Sequence, residues 1–77
     1  MTLDIISPEN ILFTGEITSV TLPGKKGAFT VLENHAPLIS SLEKGSIHVI
    51  SEQKEQMIAI NSGFIEVKNN VITVCVE

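Results

Sequence analysis

Arginine, tryptophan and tyrosine are all absent from this 77-residue sequence, and cysteine occurs once. Each absence excludes something. Without arginine the chain lacks the commonest two-pronged clamp for carboxylate or phosphate. With a net charge of −4 it also lacks the basic patch that nucleic-acid binding needs. A lone Cys75 cannot close an internal disulfide, and its place in an apolar run predicts a small core residue. The only aromatics are Phe13, Phe29 and Phe64, so the core has to be aliphatic. No apolar run reaches the roughly 18 residues of a membrane-spanning helix. The first residues, Met1-Thr2-Leu3-Asp4, lack the charged start and long apolar stretch of a signal peptide, which points to the cytoplasm.

What is present is β-branched and aliphatic. Hydrophobic residues make up 43% of the chain, which argues against disorder. The length fits one domain over residues 1–77, with a stability on the order of 4–11 kcal/mol. Short apolar runs predict strands at 3–7, 11–13, 16–22, 28–32, 38–42, 46–50, 57–60, 64–68 and 71–76. Between them lie turn residues, among them Gly15, the segment from Pro23 to Gly27, and Asn61-Ser62-Gly63. The polar stretch 51–56 reads as a hairpin connection. Asn69-Asn70 suits a two-residue turn with positive φ at both positions. Turn signals near every ten residues indicate an all-β sandwich or barrel. The last run, 71–76, is apolar on both parities, so its strand is either covered on both sides or partly covered by another chain. Ile6, Phe13, Phe29 and Leu38 are either a partner-facing patch or scattered surface apolars.

Sites of chemistry are scarce. Gly24-Lys25-Lys26-Gly27 has neither the Gly-Lys-Ser/Thr ending nor the following helix of a phosphate loop. It reads as a lysine-bearing hairpin tip that resists edge aggregation, or as a charged tip that docks on an acidic or carbonyl-rich surface. His35 has no ligand set around it. It reads as a turn residue whose ring bonds a backbone carbonyl or packs at an interface. His48, in a strand, reads as an exposed position. Two histidines and one distant cysteine are not a zinc signature. No serine elbow or acid–base pair supports catalysis. From the residues, the chain is a small acidic all-β interaction domain with no cofactor and no metal.

Four segments in register carry a resemblance. Leu3-Asp4-Ile5-Ile6-Ser7-Pro8-Glu9 followed by Phe13-Thr14-Gly15-Glu16 resembles the opening strands of the epsilon subunit of F-type ATP synthase. The run from Pro23 to Leu38, with its glycine-flanked turn and His35-Ala36-Pro37-Leu38 loop, looks like the central motif of that family. Asn61-Ser62-Gly63-Phe64-Ile65-Glu66-Val67 and Asn70-Val71-Ile72-Thr73-Val74 resemble its last hairpin.

The resemblance implies a flattened β-sandwich of about ten short, mostly antiparallel strands. It implies a non-catalytic central-stalk subunit of a proton-translocating F-type ATP synthase, joining the gamma subunit to the c-ring so that rotation is coupled to ATP synthesis. Such a subunit lies on the cytoplasmic side of a bacterial membrane, held peripherally by the complex and not inserted. By this resemblance Ser7, His35, Ala36, Pro37 and Leu38 face gamma, and Lys25, Lys26, Gly27, Ala28 and Phe29 face the c-ring. Some members carry an acidic residue where this chain has Ala28, paired with a ring arginine. Lys25 and Lys26 here imply a reversed pairing or contacts through backbone groups. Longer members continue into two helices that inhibit hydrolysis and in some cases bind ATP, so no nucleotide is expected on this segment. It is either a naturally short form or an isolated domain. The competing reading is a free-standing β-sandwich that binds a small ligand or carries a modified Lys25 or Lys26.

Overall fold

A computed structural model of the chain describes residues 1–52 and 54–77. It is all-β, with nine strands among the described residues: β1 Thr2–Ile6, β2 Ile11–Glu16, β3 Ser19–Gly24, β4 Gly27–Leu32, β5 Leu38–Leu42, β6 Gly45–Ile50, β7 Glu55–Ile60, β8 Gly63–Lys68 and β9 Val71–Val76. Nine is the number of runs that the sequence predicts, and it agrees with the figure of about ten that the resemblance implies. There is no helix among these residues, hence none long and apolar enough to cross a membrane.

The strands form one curled sheet in the order β2-β1-β9-β8-β5-β3-β6-β7, with β4 on the other side of β3. Every pairing is antiparallel except β1 with β9, where Thr2 meets Val71 and Ile6 meets Cys75. The fold bends at β3. Its first half, Ser19 to Thr21, pairs with β6, and its last residue, Gly24, pairs with Leu42 of β5. The curl gathers a common core of Leu3, Ile5, Val20, Leu22, Val31, Leu42, Ile47, Val49, Ile65, Val67, Ile72 and Val74, with Ile17, Ile60 and Val76 at its margins; β2 adds only the half-buried Phe13. The core is wholly aliphatic, as the scarcity of aromatics requires. Burying each such side chain stabilises the fold by about 1.5–3 kcal/mol.

Local departures from the sequence expectation have physical causes. Gly15, read as a break, lies inside β2 opposite Leu3, because the ladder to β1 holds the chain extended to Glu16. The strand expected from residue 16 therefore starts only at Ser19. Ile17 and Thr18 make the crossing, their N–H groups donating to Met1 O at 2.9 Å and Ile50 O at 2.8 Å. Pro23 and Gly24, read as turn, belong to β3, and the tip shrinks to Lys25-Lys26. A proline fits there because β6 has already parted from β3 after Thr21, so no ladder bond needs its missing N–H. Its carbonyl accepts from Glu43 N at 2.8 Å. Of the connection expected at 51–56, Gln53 lies outside the described residues, and Glu55 and Gln56 already belong to β7.

Strand β9 is not covered on both faces by this chain. Ile72, Val74 and Val76 point into the core, while Val71, Thr73 and Cys75 face outward. Cys75 is thus not a core residue. It lies half-buried on the outer face between Ile6 and Phe64.

The strands run up and down between two ends. One end holds the β1–β2 turn, the Lys25-Lys26 tip, the β5–β6 turn, the β7–β8 turn and Glu77. The other holds Met1, the β4–β5 loop, the β6–β7 connection and the β8–β9 turn. A strand of five or six residues separates them by roughly 17–20 Å.

Candidate interaction surface

The β4–β5 loop, 33–37, is built by local turn chemistry and one distant clasp. Asn34 takes the left-handed conformation, φ 64°. Asparagine reaches it more readily than most residues because its short side chain bonds nearby groups. The bend then lets His35 N–H donate to Leu32 O at 3.2 Å. The His35 ring Nδ1–H donates to the Ala36 carbonyl at 2.7 Å, which is the turn role expected of it. Pro37 and the start of β5 follow, where Leu38 pairs with Val67.

The loop is held from below by the β8–β9 turn, whose Asn69 and Asn70 both have positive φ, 53° and 60°, as expected. Asn34 N–H donates to Asn70 Oδ1 at 2.7 Å, and Asn70 Nδ2–H donates back to Asn34 Oδ1 at 3.1 Å. The Asn70 carbonyl meanwhile accepts from Thr2 N at 3.0 Å, tying the turn to β1. An open depression of about 420 Å³ lies between loop and turn, lined by Asn34, His35, Ala36, Pro37, Asn69 and Asn70.

The predicted site residues fall into two groups. His35, Ala36 and Pro37 are exposed at the loop end, and Leu38 is half-buried against the core. Ser7 is not with them. It closes the β1–β2 turn at the opposite end, its hydroxyl accepting from Asn10 N at 3.1 Å. There it borders an apolar depression of about 250 Å³ with Ile6, Pro8, Phe64 and Cys75. Lys25, Lys26, Gly27 and Ala28 are exposed at that same end. Phe29 turns inward and packs on the core, its ring against the Gly24 backbone, so it is not part of an exposed tip.

Of the four apolar residues considered for a partner patch, Phe13, Phe29 and Leu38 also lean on the core, and Ile6 is half-buried. The most exposed apolars are others, among them Ile39 at 76%, Ile11 at 70% and Phe64 at 53%, with Leu32 and Met57. Sequence reading missed them. Alternation places Ile39 opposite in face to Leu38, and Phe64 opposite to Ile65, but parity alone does not say which face is inside.

Charge is spread thinly. Lys25, Lys26 and Lys44 lie at the tip end. At the loop end, Glu16 and Glu33 flank Met1. The Glu16 carboxyl is held below its ordinary value of 4.5, first by the Thr2 hydroxyl, which donates at 2.7 Å, then by the Met1 amino group. His48, expected to be exposed, is half-buried, and its Nε2 meets Glu55 Oε2 at 2.7 Å. Among the described residues no group of His, Cys, Asp and Glu could hold a metal ion.

Comparison with known proteins agrees with this architecture. The chain is 39% identical to the ATP synthase epsilon chain of Leptospira borgpetersenii serovar Hardjo-bovis, across all of its own length and 61% of that protein. It is 44% identical to the ATP synthase epsilon chain of Chlorobaculum tepidum, over 90% of itself and 80% of the relative. It thus spans about three-fifths of the Leptospira relative. A chain in the cryo-EM structure of the Euglena gracilis mitochondrial ATP synthase, OSCP/F1/c-ring, superposes with a TM-score of 0.88 at 22% identity, covering 96% of this chain and 48% of that one. A chain in the Tetrahymena thermophila mitochondrial ATP synthase central stalk/c-ring gives 0.82 at 12% identity, covering 97% and 61%. These two show the shared fold. Residues 1–77 match the ATP synthase, Delta/Epsilon chain, β-sandwich domain, and the chain belongs to that family.

Proposed function

We propose that this chain is a non-catalytic domain of the rotor of a proton-translocating F-type ATP synthase. It joins the gamma subunit to the c-ring on the cytoplasmic side of a bacterial membrane, without entering the bilayer. The observation that carries the reading is the two-ended construction. The His35-Ala36-Pro37 loop is presented at one end of the strands and the Lys25-Lys26 tip at the other. A joint in a rotating shaft needs two separate contacts on one stiff body, and a sheet held by continuous backbone ladders supplies the stiffness. Family membership supports the assignment, and the Tetrahymena structure with the same fold is of a central stalk and c-ring.

In this reading the loop, with the outward-facing Ile39 at the start of β5, meets gamma, and Leu38 supports the loop from the core side. Ser7 meets gamma only if that surface extends along the outer face of β1 to the other end. The lysine tip with Gly27 and Ala28 meets polar loops of the ring. The chain contributes shape and contact, and neither cofactor nor nucleotide takes part.

The test is binding. Purified chain mixed with gamma from the same cell should co-elute on size exclusion, and Ile39→Asp or His35→Asp, both at exposed positions, should weaken the complex by placing charge in a drying interface. Wild-type chain that elutes apart from gamma overturns the proposal. Unchanged affinity in both variants overturns the choice of face.

A further inference from the structure

We infer that Asn70 is a positioning residue for the partner-facing loop. Its side chain holds Asn34, and through it the presentation of His35, Ala36 and Pro37. The inference rests on the proposed reading for its effect on gamma, but the clasp itself is a property of this chain alone.

Three observations point to it. Asn34 and Asn70 are 36 positions apart, yet exchange two hydrogen bonds, 2.7 Å to the Asn34 backbone N–H and 3.1 Å between side-chain amides. The shorter bond satisfies the backbone N–H at the very residue where the loop reverses, φ 64°. The Asn70 carbonyl is anchored separately by Thr2 N–H at 3.0 Å, so the amide is carried on a turn that β1 already fixes. The loop bends on support from outside itself. Removing that support leaves an exposed five-residue connection with one internal backbone bond, from His35 N to Leu32 O.

A simpler account exists for asparagine at this place. A two-residue hairpin turn needs positive φ, which Asn tolerates and Gly adopts freely. The two accounts make opposite predictions for glycine. If Asn70 serves only the turn, Asn70→Gly is harmless. If it serves the loop, Asn70→Gly keeps the hairpin and releases the loop. Aspartate discriminates further, because its carboxylate still accepts from Asn34 N–H but no longer donates to Asn34 Oδ1.

The experiment compares wild type, Asn70→Asp and Asn70→Gly by amide hydrogen exchange, thermal unfolding and affinity for gamma. Exchange at the Asn34 amide should quicken about tenfold in Asn70→Gly and less in Asn70→Asp. Exchange in β8 and β9 should stay near wild type in both. Affinity for gamma should fall in the same order, with Asn70→Gly about tenfold weaker. Wild-type protection of Asn34 in Asn70→Gly overturns the inference. So does Asn70→Gly binding gamma as wild type while its Asn34 amide exchanges faster, since the clasp would then not govern presentation. Should wild type fail to bind gamma, the proposed function falls, and the Asn34 exchange readout still decides whether the clasp holds the loop.

Discussion

Glu16 and Thr2 face each other across β1 and β2, in register and on the outer side of the sheet. The Thr2 hydroxyl donates to Glu16 Oε2 at 2.7 Å, and the Met1 ammonium lies 3.3 Å from Oε1. Both favour the charged carboxylate, so its folded-state pKa lies below 4.5. A depressed carboxylate pKa contributes stability above the unfolded value, and that contribution is lost as pH falls through the folded one. Glu16 is fully exposed, so the effect is small and screened by salt. The expected outcome is a Glu16 carboxyl that titrates below 4.5 by NMR and moves up toward it in Thr2→Val. A midpoint indifferent to that substitution would rule out the hydroxyl as the main cause. At this scale sequence reading succeeded where the chemistry is local. Positive φ at Asn69 and Asn70 follows from two asparagines between two strands. It failed where the partner is remote, because nothing near Asn34 announces a bond to Asn70. It failed again at Cys75, since β9 is apolar on both parities and only the assembled sheet chooses the inner one.

Among the elements, β8 shows how a glycine can be misread. Gly63 follows Asn61-Ser62 and looks like the end of a turn. In the fold it is the first residue of a strand, paired on one side with Leu42 of β5 and on the other with Val76 of β9. A Cβ there would run into the Cys75 carbonyl oxygen and press on the Val76 backbone. Both obstacles are, or include, main chain, which cannot swing aside. Gly63→Ala should therefore destabilise the fold by about 1–3 kcal/mol, read as a lower urea midpoint with unchanged slope. An unaltered midpoint would mean that β8 and β9 separate at that corner at little cost. Gly24 meets a similar limit from Gly27 O and the Phe29 ring, both 2.8 Å from its would-be Cβ. With no Cβ at Gly24, the ring of Phe29 has room to lie over the hairpin. Strand existence was readable from β-branched runs and their breaks. Strand ends were not, because Gly15, Pro23 and Gly24 are kept extended by partners far along the chain.

The whole molecule measures 26 × 23 × 19 Å and carries its two candidate contacts at opposite ends of the same strands. No local signal reveals this. It depends on β1 lying parallel to β9 and on β3 changing partners from β6 to β5, both pairings between distant residues. The family resemblance supplied the fold class that periodicity left as sandwich or barrel. It grouped Ser7 with His35, although the strands separate them by the length of β1. The construction has a consequence for the proposed rotor role. Changes at sites more than about 7–10 Å apart with no shared partner add to within roughly 0.3–0.5 kcal/mol. Lys25→Glu with Lys26→Glu should alter binding to the c-ring and leave gamma affinity as in wild type. Ile39→Asp, at an exposed position of the loop end, should do the reverse. The triple variant should show both losses, each equal to its separate value, in titrations against gamma alone and against the ring alone. If charge reversal at the tip changed gamma affinity severalfold, the two ends would be coupled, and a stiff joint with independent contacts would be the wrong description of the proposed rotor role.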